Sequence, residues 1–103
     1  MKNDLNILTW LIKEWALVRG LLTDDIQPEK QMLKLVEEVG ETAKALAYKN
    51  QNELRDGIGD CVVCLIVLAH QCNMTLEECV EAAWEEIKDR KGEMEDGLFK
   101  KEK

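Results

Sequence analysis

The 103-residue sequence contains no serine and a single histidine, His70. A Ser-His-Asp triad is therefore excluded, and one histidine argues against a Cys-His nucleophilic site. A di-iron carboxylate centre needs two Glu-x-x-His motifs, whereas the residue three positions before His70 is Val67. The sequence also lacks a glycine-rich phosphate-binding loop. Carboxylate chemistry is what remains for an enzyme of this composition.

Helix-breaking and aromatic residues are scarce, with one proline, six glycines and 5% aromatic residues. The chain is 46% hydrophobic and 34% charged, which indicates a folded, strongly helical protein. We predict a single all-α domain over residues 1–103, an antiparallel helical bundle of about four helices. A domain this small buries only about 60–70% of the surface of its unfolded chain, so we expect oligomerisation to complete the bundle.

Positive charge is in deficit, since 14 basic residues face 21 acidic ones and the net charge is −7. We expect no binding to nucleic acid or to an anionic membrane, because both require a basic face. The longest apolar run, residues 61–69, is about half as long as a membrane span and predicts a buried helix. The first residues lack the features of a signal peptide, which predicts a cytoplasmic protein.

Four cysteines are present, and Cys61 and Cys64 have the spacing of a redox or metal-binding pair. This pair lies inside the apolar run, where free cysteine packs as a small hydrophobic side chain. We therefore interpret the pair as part of the core.

Apolar periodicity and capping signals predict four helices, over residues 4–19, 28–48, 53–72 and 76–91. Pro28 suits the first position of the second helix, and Asn50 or Asn52 is available as the N-cap of the third. Thr75 and Glu78 form a capping box before the fourth helix. Residues 93–103 read as a polar, partly ordered tail.

Two acidic clusters interrupt the apolar pattern of the second and third helices. They consist of Glu37, Glu38 and Glu41, and of Asp56 and Asp60. Spacings of three and four residues place the acids of each cluster on one helix face, so two antiparallel helices could direct them at one point. Their repulsion is relieved if a hard cation lies between them, and oxygen ligands suit Mg²⁺ or Mn²⁺. The alternative is a non-enzymatic helical interaction protein whose acids are simply solvated.

Glycines accompany both acidic clusters, at Gly40 in the second helix and at Gly57 and Gly59 in the third. A glycine inside a helix costs about 1 kcal/mol relative to alanine. Such residues mark places where another backbone or a ligand comes close. We therefore predict close approach at these positions.

The paired motifs EEVGE at residues 37–41 and DGIGD at residues 56–60 resemble the MazG-like family of all-α nucleoside triphosphate pyrophosphohydrolases. Supporting similarities lie at Trp15, Arg19, Gln31, Lys34 and residues 86–91. The resemblance implies Mg²⁺-dependent cleavage of a (deoxy)nucleoside triphosphate to a monophosphate and pyrophosphate, in house-cleaning of the nucleotide pool. It also implies a homo-oligomer, either a dimer or a tetramer. Related enzymes that act on dUTP or phosphoribosyl-ATP are the enzymatic alternatives.

The resemblance assigns the metal to Glu38, Glu41, Asp56 and Asp60 and the catalytic roles to Glu37 and Glu38, which would orient the attacking water or accept its proton. The family pattern would have a glutamate at position 57, where this chain has glycine. The second motif is then completed either by Asp56 or by a Glu53/Asp56 pair.

Candidate contacts to the substrate come from cations and one aromatic residue. Lys34, Lys88, Arg90 and Lys91 could bind phosphates, and Trp15 could stack on the base. The competing interpretation of the last three cations is that they stabilise the C-terminal end of the fourth helix.

Overall fold

The computed structural model describes residues 3–102, which form four α-helices followed by a short β-hairpin. The elements are α1 (Leu5–Val18), α2 (Pro28–Ala47), α3 (Gln51–Gln71), α4 (Leu76–Ile87), β1 (Gly92–Glu95) and β2 (Leu98–Lys101). The predicted all-α class and the four helices are confirmed. The predicted ends of α2 and α3 lie within two residues of the observed ones.

The starts of the helices follow local capping signals. Asn50 is the N-cap of α3, because its side chain accepts a hydrogen bond from the Glu53 N–H at 3.1 Å, and α3 therefore begins before residue 53. The capping box of α4 is confirmed. The Glu78 N–H donates to Thr75 Oγ1 at 3.1 Å, and the Thr75 N–H donates to Glu78 Oε1 at 2.7 Å.

The C-terminal part differs from the prediction, because α4 ends at Ile87 and a β-hairpin occupies the expected tail. Strand β1 pairs antiparallel with β2 through a turn at Asp96 and Gly97, which have φ values of 53° and 79°. Two successive positive φ angles define the turn type that favours Asp-Gly in two-residue hairpins. That dipeptide was the signal that the sequence interpretation missed.

The core lies mainly between α2 and α3, which are joined by a short turn and pack against each other, with α1 against α3. The buried hydrophobic residues are Ala16, Leu35, Ala45, Cys64, Ile66, Val67 and Ala69. Four of these belong to the apolar run, so its prediction as a buried helix is confirmed. Helix α4 and both strands contain no buried residue.

The protomer is unusually open for its size. Its radius of gyration is 16.1 Å, whereas a compact domain of this length has a value of about 13 Å. Its accessible surface is 8449 Å², which exceeds by roughly 2,500 Å² the area expected for a folded monomer of this mass. Much of the helical surface outside the α2–α3 contact is therefore left uncovered within one chain.

No single helix among residues 3–102 is both long and apolar enough to cross a membrane. Helices α3 and α4 pass that test of length and composition only as a pair, and they are bent by 102° where they meet.

Candidate functional site

An acidic cleft of about 340 Å³ opens between α2 and α3. It is lined by Glu41 and Lys44 from α2 and by Glu53, Asp56, Gly57 and Asp60 from α3. Three of the four predicted metal ligands, Glu41, Asp56 and Asp60, thus meet in one cleft. Glu53 lies on the same wall as Asp56, so both versions of the second acidic motif remain open.

The fourth predicted ligand, Glu38, takes part in an ion pair instead of lining this cleft. It is only 7% exposed, and its Oε1 lies 3.2 Å from Lys34 Nζ. The exposed Glu37 lies 3.5 Å from the same ammonium group. The hydrogen bond to Glu38, followed by the charge of Glu37, raises the pKa of Lys34, so this lysine stays protonated at neutral pH.

The buried thiol of Cys64 links the two acidic clusters. Burial raises the pKa of Cys64, and the negative charges of Glu38 and Asp60 act in the same direction. These two acids from different helices therefore influence one buried group. Cys64 stays a neutral thiol, and Cys61 and Cys64 are both free, as the interpretation of this pair as packing residues requires.

The oxygen donors of the acidic cleft suit a hard cation in their chemistry, although the carboxylates lie too far apart to share one in this arrangement. No three acidic, histidine or cysteine side chains within residues 3–102 converge closely enough to hold a metal ion. The four carboxylates of the cleft are all exposed, so their side chains are free to rotate. Mutual repulsion favours such separation when no cation is present. Their oxygen-only chemistry is what Mg²⁺ and Mn²⁺ prefer.

The cations predicted near the end of α4 lie elsewhere in the structure. Lys88 caps α4 and pairs with Glu85 at 2.7 Å, as the helix-terminus interpretation anticipates. Arg90 and Lys91 line surface depressions beside the β-hairpin. None of these three residues lines the acidic cleft.

Lys44 is the cation that the acidic cleft contains, and the sequence interpretation missed it. Within the described part of the chain, Lys44 forms no ion pair within 4.0 Å. The available signal was its spacing of three residues from Glu41, which places both side chains on one face of α2.

Trp15 is half-exposed on α1 and does not line the acidic cleft. The guanidinium of Arg19 lies over its ring, 4.6 Å from the ring centroid, in a cation–π contact. The structure thus provides Trp15 with a partner from the residue that caps the same helix.

Of the three glycines in the acidic helices, Gly57 alone lies at a close approach in this protomer. A Cβ atom at residue 57 would overlap Thr42 Oγ1 and lie 3.2 Å from Thr42 Cα. The prediction is confirmed for Gly57, whereas a Cβ at Gly40 or Gly59 would meet nothing within 4 Å in the protomer, so for these two glycines approach by a ligand or another chain stays a prediction. A glutamate at position 57, as in the family pattern, would require Thr42 or its helix to shift.

Comparison with known proteins agrees with the motifs that build this cleft. The chain is 41% identical over 68 residues to an uncharacterized 18.2 kDa protein in the rep-hol intergenic region of Haemophilus phage HP1. That match covers 66% of this chain and 41% of the relative. No solved structure gives a significant match. The family model of the MazG nucleotide pyrophosphohydrolase domain matches residues 26–94, which include the whole acidic cleft, and the chain therefore belongs to the MazG family.

Proposed function

We propose that this protein is a Mg²⁺-dependent nucleoside triphosphate pyrophosphohydrolase that releases a monophosphate and pyrophosphate and removes unwanted nucleotides from the pool. The observation that carries the proposal is the meeting of Glu41, Asp56 and Asp60 in one cleft, inside the segment that matches the family. Mn²⁺ is a suitable substitute because it accepts the same ligands.

We assign the acids roles that suit both their positions and the family resemblance. Glu41, Asp56 and Asp60, with Glu53 beside them, would hold the cation, which when bound neutralises phosphate charge and lowers the pKa of a coordinated water. Glu37 or Glu38 would orient the attacking water or accept its proton.

Two lysines are placed to interact with phosphates. Lys44 lines the acidic cleft, and Lys34 forms ion pairs with Glu37 and Glu38. A bound phosphate could take over Lys34 as its partner and leave Glu38 free to join Glu41 as a metal ligand. In this scheme Glu38 pairs with Lys34 in the free protein and becomes a metal ligand only when substrate is bound. Lys88, Arg90, Lys91 and Trp15 remain further candidates for substrate binding, supported by the sequence resemblance alone.

We further propose that the working form is a homo-oligomer, a dimer or a tetramer. Helix α2 carries an uncovered apolar seam at heptad spacing, formed by Met32, Val36, Val39, Ala43 and Leu46. Such spacing suits packing against another helix. The roughly 2,500 Å² of surface in excess of a compact monomer is within the range that obligate interfaces bury in total. Cytoplasmic location stays a prediction.

The deciding experiment measures pyrophosphate release from a panel of nucleotides in the presence of Mg²⁺. The panel includes the common ribo- and deoxynucleoside triphosphates, dUTP and phosphoribosyl-ATP. We expect pyrophosphate and a monophosphate from at least one of them, with activity abolished by EDTA and restored by Mg²⁺ or Mn²⁺. Orthophosphate as first product, or activity that persists in excess EDTA, would contradict the proposal. A complete lack of hydrolysis together with a lack of Mg²⁺ binding would favour the interaction-protein alternative.

A further inference from the structure

Thr42 of α2 and Gly57 of α3 are in contact at the acidic cleft. Of the three glycines in these helices, Gly57 is the one at which the neighbouring helix comes close. Gly57 is buried and lines the cleft, and Thr42 is partly buried opposite it. Each neighbours a cleft acid in sequence, since Glu41 precedes Thr42 and Asp56 precedes Gly57. Any change in the distance between these two residues therefore shifts acids on one helix relative to acids on the other.

Thr42 has little freedom to move away from Gly57. Its hydroxyl donates a hydrogen bond to the Glu38 carbonyl oxygen at 2.7 Å and lies 3.7 Å from Cys61 Sγ. Rotation of the threonine side chain would break that hydrogen bond. It would also fail to clear space for a larger residue, because a Cβ at position 57 would remain 3.2 Å from the Thr42 Cα atom. Comfortable carbon–carbon contact requires about 3.5–4.0 Å.

We infer that Thr42 and Gly57 are positioning residues that set the separation of the two acidic helices and thereby the ability of the acidic cleft to bind a divalent cation. The inference rests on the proposed function. The glycine at position 57, where the family has glutamate, then leaves space for the Thr42 side chain. This space allows Glu41 on α2 to approach Asp56 and Asp60 on α3. Mg²⁺ demands ligand distances of about 2.0–2.1 Å in near-octahedral geometry. The exposed carboxylates can rotate towards a cation, but the separation of the two helix backbones limits how closely acids from both helices can approach.

The test compares Gly57→Ala with Gly59→Ala, two identical changes in the same helix. Alanine favours helix over glycine by about 1 kcal/mol, so Gly59→Ala should raise the melting temperature of the metal-free protein, because its new methyl group meets nothing within 4 Å. Gly57→Ala should lower the melting temperature through overlap with Thr42. Isothermal titration with Mg²⁺ alone should show at least tenfold weaker binding for Gly57→Ala and unchanged binding for Gly59→Ala.

A size-swapped variant, Gly57→Ala with Thr42→Gly, separates spacing from general damage. It removes the two closest contacts, with Thr42 Oγ1 and Cβ, and leaves only the 3.2 Å approach to Cα, which a shift of a few tenths of an ångström relieves. The swap should therefore regain most of the Mg²⁺ affinity that Gly57→Ala loses, even if Gly57→Ala by itself does not fold. Mg²⁺ binding by Gly57→Ala within twofold of the wild type, or no recovery in the swap, would overturn the inference while leaving the proposed function intact. If the wild-type protein binds no Mg²⁺ in the absence of nucleotide, the inference fails; if it also releases no pyrophosphate from any nucleotide of the panel, the proposed function fails with it.

Discussion

At the level of single residues, the main distinction is between acids that are already paired and acids that are not. Glu38 is nearly buried and has Lys34 as a partner, whereas the acids of the cleft are exposed and face one another. A buried carboxylate is costly unless it is paired, which explains why Lys34 lies one turn before Glu38. The unpaired acids incur no such cost in solvent and are therefore available to a cation.

Replacement of Lys44 by glutamine tests the cation of the acidic cleft. A charge-assisted hydrogen bond contributes about 1.5–3 kcal/mol, so KM for the nucleotide should rise by about tenfold or more. Folding stability should change little, because Lys44 has no ion-pair partner in the described chain. Affinity for Mg²⁺ without nucleotide should stay the same or increase, since a positive charge leaves the cleft.

Lys30→Gln is the matched control for Lys44, because it removes an exposed charge from the same helix away from the cleft. Steady-state kinetics on both variants decide the matter. An equal rise in KM for the two variants would mean that only the overall charge of the protein is at work.

At the level of elements, helix α4 and the hairpin depend on local signals, because neither contains a buried residue. Helix α4 is held at its start by reciprocal hydrogen bonds between Thr75 and Glu78. Segments with few buried contacts open at low free energy. Amide hydrogen exchange should therefore be fast in α4 and in the hairpin and slow in the buried part of α3.

Thr75→Ala removes the cap and should cost about 1 kcal/mol, which corresponds to about fivefold faster exchange across α4. Exchange in α2 and α3 should stay unchanged. Thr23→Ala serves as the control, because the Thr23 hydroxyl bonds only to Gly20 and Asp25 within one loop. Equal acceleration in both variants, or acceleration throughout the molecule, would show that α4 is not an independent local unit.

The elements that sequence predicted well are those governed by local rules. Pro28, Asn50 and Thr75 each mark a helix start by a short-range interaction, and each lies at or next to the observed start. The hairpin was missed because its strands are only four residues long and lack a buried face, so the Asp-Gly turn was the one strong signal. The burial of Glu38 could not be predicted either, since it depends on how deeply α2 packs against α3, although the spacing of four residues allows its pairing with Lys34.

At the level of the whole molecule, the structure alters which apolar surface would form the contact in an oligomer. Small size alone favours association, and a run that is apolar on all sides, such as residues 61–69, would suit a second buried surface, yet most of this run is covered within the protomer. Uncovered apolar side chains lie instead on α1, on the α2 seam, on α4 and on the hairpin. Spacing alone could not reveal this, because a helix that is apolar on all sides does not indicate which neighbour covers each side.

Sedimentation at micromolar concentration should show a dimer or larger species for the wild type. Val39→Asp places a charge in the α2 seam and should shift the protein to monomer, because burying an unpaired carboxylate is costly. Tyr48→Asp is the control, since Tyr48 is 76% exposed and lies just beyond the end of α2, outside the seam. A wild-type monomer at this concentration, or dissociation by both variants alike, would contradict the assignment of the seam.

The placement of the core has a consequence for how the protein folds. Its two principal helices, α2 and α3, are neighbours in sequence and are separated by residues 48–50 alone. Contacts between such neighbours require little loop closure and form early, on a timescale of microseconds to milliseconds in helical proteins. A helical hairpin that carries both acidic motifs would thus form within one chain before any second chain is met. Refolding is then expected in two phases, the first independent of protein concentration and the second, association, faster as concentration rises.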